Sequence, residues 1–306
     1  MKIATIGTGG IGGYLAVKLS SSGHKIATIA RGKHLEAIKN NGLSLKNGED
    51  IETVRPWIAT DDPKEVGKVD AIILGVKGDS LISAAESCFS LIDKDTVVVP
   101  FLNGVEATDR LISILPENHI ANGLAQISTT IIEPGLIEQT GDFANFIFAE
   151  RNNKPSPRIK ALQSAINNSG SHAPETDDIE RDVWEKFVMF SAMSGVTAAA
   201  RCTIGDIVES DKLKALFINV MKETANAGRA RGVNLKESIE SEIWNRVSRL
   251  PSGMRASTAI DLEKGLPLEI DWVSGAASRL SKDVGLSAPL NETIYSLLSP
   301  YKNGSQ

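Results

Sequence analysis

Glycines at positions 7, 9 and 12, Arg31, Lys77 and Asn103 are the first residues of this chain whose types and spacing suggest chemistry. The glycines fall in Gly7-Thr8-Gly9-Gly10-Ile11-Gly12, between the β-branched run Lys2-Ile3-Ala4-Thr5-Ile6 and a segment whose apolar Ile11, Leu15 and Leu19 recur with a helical period. A strand that breaks on such glycines and opens a helix is suited to the pyrophosphate of a dinucleotide. The first glycine permits a tight turn, the second lets backbone approach the phosphates, and the third lets helix and strand pack closely. Unpaired N–H groups and the helix dipole then favour the anion. Glycine-rich turns also serve merely to turn a chain, but the flanking strand and helix, and a second strand at 25–29, favour the nucleotide.

Arg31 follows that second strand, where a ribose-reading residue belongs, and no Asp or Glu occurs between Gly23 and Leu35. A carboxylate would suit the free 2′-hydroxyl of NAD, whereas a guanidinium fork suits the 2′-phosphate of NADP. The expected cofactor is NADP(H); the alternative is an arginine that merely ends a strand in solvent. Lys77 after Leu74-Gly75-Val76, and Asn103-Gly104 after Pro100-Phe101-Leu102, fall at the carboxyl ends of further expected strands, the edge where parallel sheets bind ligands. The lysine could face phosphate or ribose, and the asparagine could orient a nicotinamide or a substrate. Either could instead be an ordinary loop residue or helix cap.

The elements that must position these residues alternate. A helix is expected over 33–40, strands near 43–45 and 51–57 about Asn47-Gly48, a strand buried on both faces over 69–76, a helix over 79–92 and a strand over 96–102. This predicts an α/β, Rossmann-type doubly wound N-terminal domain. Beyond about residue 115, segments 120–132 and 136–150 read as antiparallel strands about Glu133-Pro134-Gly135, and a helix over 156–168 closes the NADP-binding domain, residues 1–172. Past a polar hinge, residues 173–306 read as an all-α domain, with helices over 179–200, 211–231, 235–249, 269–284 and 290–299.

The 306 residues allow two such domains, and 42% hydrophobic with 23% charged content is that of an ordinary globular protein. A net charge of −5 argues against nucleic acid as the main partner. No apolar run reaches the length of a membrane span and the N-terminus lacks a signal-peptide pattern, so the expected location is the cytoplasm. Cys88 and Cys202 lie far apart in apolar contexts and read as buried thiols; His24, His34, His119 and His172 are scattered, so no metal site is expected.

With its glycine turn, Arg31, Val76-Lys77, Asn103-Gly104 and helical half, the chain resembles the ketopantoate reductase family over nearly its whole length. Three blocks carry the resemblance: the glycine turn, Leu102-Asn103-Gly104-Val105, and Trp184-Glu185-Lys186-Phe187 together with Leu268-Glu269-Ile270-Asp271. The resemblance implies NADPH-dependent reduction of a 2-oxo acid to a 2-hydroxy acid, with ketopantoate the usual substrate and pantothenate and coenzyme A synthesis the usual context. It makes 173–306 the substrate and catalytic domain, Lys186 the catalytic lysine and Glu269 the active-site carboxylate, which would anchor substrate or cofactor hydroxyls. Ser257 becomes a substrate contact, and Asn103 the asparagine at the nicotinamide end. Where the family often offers asparagines four and eight residues after the lysine, this chain has Phe190 and Ser194, which would meet the substrate instead and could favour a different 2-oxo acid. A homodimer is implied by analogy alone.

Reducing a ketone by hydride requires a proton donor and stabilisation of the developing alkoxide, and one ammonium can do both. On a helix, Lys186, Phe190, Met193 and Thr197 share a side next to Ile179, Val183 and Phe187, which would desolvate the lysine and lower its pKa. Without the family match this pattern reads more readily as a lysine whose stem covers apolar surface. Glu269 and Asp271 likewise read as carboxylates in the first turn of a helix after Pro267. The rival from another class is a non-catalytic NADP(H)-binding sensor.

Overall fold

The computed structural model describes residues 1–304. The chain forms two compact units: residues 1–102 with 107–179, and residues 103–106 with the segment that starts at Glu180. The main division therefore falls at 179/180, against the expected 172/173, and a four-residue stretch beginning at Asn103 packs with the helical unit.

The first unit runs β1 (Lys2–Ile6), α1 (Gly10–Ser21), β2 (Lys25–Ile29), α2 (Gly32–Asn41), β3 (Leu43–Asn47), β4 (Asp50–Val54), β5 (Ile58–Thr60), β6 (Val69–Leu74), α3 (Leu81–Cys88), β7 (Ile92–Pro100), α4 (Ala107–Ile112), β8 (Ala121–Glu133), β9 (Leu136–Glu150) and α5 (Pro157–Asn168). Five strands form a parallel sheet in the order β5-β2-β1-β6-β7. Its central strands are closed to water on both faces, which is why they read as β-branched runs without alternation. The remaining strands make a second sheet, β4-β3-β9-β8, in which β3 pairs parallel to β9 although about ninety residues separate them.

Helix α1 joins the two sheets into one core. Residues Gly12 to Val17 and Leu19 are all buried, so the helix has no solvent stripe. A Cβ on Gly12 would lie 2.2 Å from the Gly7 carbonyl oxygen, beside the parallel sheet, and one on Gly13 would lie 2.8 Å from the Ile137 side chain on β9. Two consecutive glycines thus let one helix pack closely on both sheets. Phe146 on β9 completes this core, stacked on Tyr14 of α1 at 5.8 Å and edge-on to Phe101 at 5.4 Å.

The second unit contains α6 (Ile179–Ala199), whose first residue closes the first unit, then α7 (Ile204–Glu209), α8 (Asp211–Ala230), α9 (Ile239–Val247), α10 (Ser257–Glu263), α11 (Ser274–Asp283) and α12 (Pro289–Leu298). Phe187, Val188 and Val196 of α6 pack with Phe217 and Met221 of α8 and Ile243 of α9 in its core. Helices α4, α7 and α10 were not expected; α7 carries a capping box in which Thr203 and Asp206 satisfy each other's backbone N–H. The expected helix over 269–284 divides, because Val273 at φ −118°, ψ −93° leaves helical geometry: a 3-10 turn, Ile270–Trp272, precedes α11. The expected helix over 79–92 begins as a 3-10 turn at Gly78 and ends at Cys88, and β7 starts at Ile92 rather than at 96. Among the described residues no helix is long and apolar enough to cross a membrane, and no group of three His, Cys, Asp or Glu is placed to hold a metal.

Candidate active site

The turn after β1 is shaped for backbone approach. Gly7 adopts φ +81°, and a Cβ there would fall 2.5 Å from a Val76 methyl. A Cβ on Gly9 would have nothing within 4 Å, leaving space for a ligand at the mouth of α1. Helix α1 begins at Gly10 without a side-chain cap and without an acidic residue in its first turn, so its first N–H groups are suited to an anion. Thr8 is buried and donates its hydroxyl to the Ile29 carbonyl at 3.1 Å, fixing the turn to β2. Ile11 is half-buried and packs on the unit's core. Beside Gly10, the buried Thr129 hydroxyl has no hydrogen-bond partner among the described residues.

Arg31 is the N-cap residue of α2 and its side chain is exposed, with no acid in the helix's first turn to neutralise it. Lys77, also exposed, precedes the 3-10 turn Gly78–Ser80 at the carboxyl end of β6. The turn, the uncapped start of α1 and Arg31 together fit a phosphorylated dinucleotide.

A residue that sequence reasoning missed holds this turn in place. His34 of α2 lies 2.7 Å through Nε2 from the Thr8 carbonyl, and the Gly135 N–H donates to its Nδ1 at 3.0 Å. Since Nδ1 accepts, Nε2 carries the proton and donates to Thr8, which fixes the neutral tautomer. Burial pulls the His34 pKa below its usual 6.5, in keeping with that state. Both partners are backbone groups remote in sequence, so no motif marks the histidine.

Within the helical unit, three expected residues come together. Lys186 of α6 donates from Nζ to Asn103 Oδ1 at 3.2 Å, and Asn103 donates from Nδ2 to Glu269 Oε2 at 3.3 Å. Asn103 is held by its neighbours: Val105 packs on the helical core, and Gly104 at φ +89° passes so close to Trp272 that a Cβ would fall 2.5 Å from its carbonyl oxygen. Glu269 precedes the turn Ile270–Trp272 and is not in the first turn of a long helix. Burial pushes the Lys186 pKa down from 10.5 to about 8, opposed by the Glu269 carboxylate. The residue as a whole is half-buried. Such an ammonium is charged at neutral pH yet close to releasing its proton.

The Lys186 ammonium also lies 5.9 Å from the centre of the Phe190 ring. Ser194 is buried and donates to Thr258 Oγ1 at 2.6 Å, so its hydroxyl is already committed within the unit. Ser257 is exposed at the first position of α10, next to that buried threonine. Lys186, Asn103, Glu269 and Phe190 therefore form one cluster, while Ser194 turns to Thr258 and Ser257 to solvent.

Comparison with known proteins agrees with this architecture. Residues 3–153 match the family model "Ketopantoate reductase PanE/ApbA" and residues 178–302 its C-terminal counterpart. The chain is 29% identical to a 2-dehydropantoate 2-reductase of Mesorhizobium japonicum, covering 97% of each, and 27% identical to an uncharacterized oxidoreductase of Bacillus subtilis, covering 99% of each. Among solved structures it resembles a PanE/ApbA family ketopantoate reductase from Ralstonia eutropha with TM-score 0.89 and 27% identity, covering 99% of this chain and 98% of that one. A D-mandelate dehydrogenase solved with NADH shares the fold, with TM-score 0.90, 23% identity, and 99% and 98% coverage. With both family models matched in order, the chain belongs to the ketopantoate reductase family and is an oxidoreductase acting on CH–OH groups with NAD(P)H.

Proposed function

We propose that this protein reduces a 2-oxo acid to the 2-hydroxy acid with NADPH, and that the reaction is ketopantoate to pantoate in pantothenate and coenzyme A synthesis. The observation that carries this reading is the hydrogen-bonded series from Lys186 through Asn103 to Glu269. NADPH, when bound, supplies the hydride that becomes the hydrogen on C2. Lys186 passes a proton from Nζ to the carbonyl oxygen as negative charge develops there, and recovers one from solvent. Asn103 aims the ammonium, and Glu269 orients Asn103 while favouring the charged lysine. The Gly7–Gly12 turn receives the pyrophosphate, Arg31 the 2′-phosphate, and Lys77 the phosphates or ribose.

A second reading rests on Phe190 and Ser194. An aromatic ring beside the acid, and a serine already bonded to Thr258, offer little to a substrate hydroxyl, which would lie there unpaired. This favours a 2-oxo acid with a purely apolar side chain. Loss of NADPH absorbance, measured with ketopantoate and with apolar 2-oxo acids, separates the readings. The higher kcat/KM identifies the substrate class, and NADPH is expected to outperform NADH by about tenfold or more. No consumption with any 2-oxo acid would refute both and favour a binding module without chemistry.

A further inference from the structure

Asn103 and Glu269 are supplied by two separate backbone segments, yet both must be fixed relative to Lys186. Their contacts are long for hydrogen bonds, 3.2 Å and 3.3 Å, so a displacement of a few tenths of an ångström would lose them. One side chain spans the two segments. Arg279 of α11 donates from Nη2 to Glu106 Oε2 at 2.6 Å and to the Asp271 carbonyl oxygen at 2.8 Å. Glu106 lies three residues after Asn103, and Asp271 two after Glu269.

We propose that Arg279 is a positioning residue for the reduction, tying the Asn103 segment to the Glu269 segment so that the two groups paired around Lys186 hold their geometry. The Glu106 side chain is only 14% exposed, so this bond is shielded on the carboxylate side, although Arg279 itself is 43% exposed. The segments already touch where Gly104 passes the Trp272 carbonyl, a contact that admits no side chain. Asp271 is braced from its other side: its carboxylate accepts from the Tyr295 hydroxyl at 2.7 Å and pairs with Lys302. Tyr295 and Lys302 thus anchor the Glu269 turn to α12 and the chain after it, and Arg279 carries that anchorage to Asn103. A single guanidinium nitrogen with two N–H groups can serve both acceptors at once; a lysine lacks the planar fork that sets this geometry.

This inference rests on the reading of Lys186 as proton donor, and its test separates the two. Steady-state kinetics with NADPH and the preferred 2-oxo acid would compare wild type with Arg279→Gln, Arg279→Lys, Glu106→Gln and the double variant Glu106→Gln/Arg279→Gln, with thermal melts on each. Arg279→Gln is expected to lower kcat by about 10- to 100-fold with the KM for NADPH within about twofold. It should also move the alkaline limb of the kcat profile upward, since a looser cluster relieves the burial that depresses the Lys186 pKa against the pull of Glu269. Arg279→Lys should recover part of kcat, and the double variant should lose little beyond the worse single one. A lower melting temperature with unchanged kcat and an unmoved limb in folded Arg279→Gln would overturn the positioning role. If Arg279→Gln fails to fold, Glu106→Gln, which removes one charge and keeps the shape, decides on the same two readouts. Lys186→Met distinguishes the claims. Turnover retained in that variant defeats the proton-donor reading, whereas turnover lost there but normal in Arg279→Gln defeats only the role of Arg279.

Discussion

At the scale of single residues, the proposed reaction turns on the ionisation of Lys186. Its pKa lies near 8 in the fold, below the 10.5 of an ordinary lysine, because burial disfavours the ammonium more than Glu269 supports it. The unfolded chain therefore binds this proton more tightly. Lys186 costs the fold stability at neutral pH, and the cost is relieved as pH rises through about 8 towards 10.5. For a proton donor the same ionisation sets activity: kcat for reduction should hold below pH 7.5 and fall about tenfold per unit well above 8. In thermal melts at pH 7, Lys186→Met should be at least as stable as wild type. A flat kcat profile through pH 8 to 10 would count against the assignment. The sequence shows why this residue needed the family match. Its apolar neighbours place Lys186 at the edge of a buried face, but its partner Asn103 lies 83 positions away, and no periodicity reports such a pairing. His34 is the sharper case, since it is defined wholly by backbone partners on remote turns.

At the scale of elements, α1 packs on both sheets and, in the proposed reading, receives the pyrophosphate, and the glycines separate the two tasks. Gly12 is a packing residue: a methyl there would collide with the Gly7 carbonyl oxygen at 2.2 Å. Gly12→Ala should therefore destabilise the protein by about 1–3 kcal/mol and weaken NADPH binding with it. Gly9 has an open environment and φ −87°, so Gly9→Ala should melt like wild type while losing NADPH affinity, the methyl standing where a phosphate approaches. Equal losses of melting temperature in both variants would show that the turn is structural only. Elements of this kind were the most legible. The expected β1 and β2 coincide with the observed strands, and the two long strands after 120 differ by one residue at most, because burial and turn residues lie within each segment. The second sheet was not legible: alternation in β3 says that one face is buried, not that its partner is β9. The break at Val273 was hidden too, since Glu269, Asp271 and the following small residues suit one continuous helix.

For the whole molecule, the proposed roles divide between the two units. The glycine turn, Arg31, Lys77 and His34 belong to the first; Lys186, Asn103, Glu269 and Phe190 belong to the second. The sequence suggested this division but placed Asn103 on the wrong side of it. Asn103 follows a strand of the parallel sheet, yet Val105 packs into the helical core and Glu106 pairs with Arg279. Binding and chemistry should therefore be separable by mutation. The most direct measurement is NADPH affinity by fluorescence titration alongside NADPH oxidation at saturating 2-oxo acid, on wild type and Lys186→Ala. The variant should bind NADPH within about twofold of wild type while kcat falls about 10²- to 10⁴-fold. A Lys186→Ala enzyme that turns over at the wild-type rate would contradict the central claim that this lysine delivers the proton.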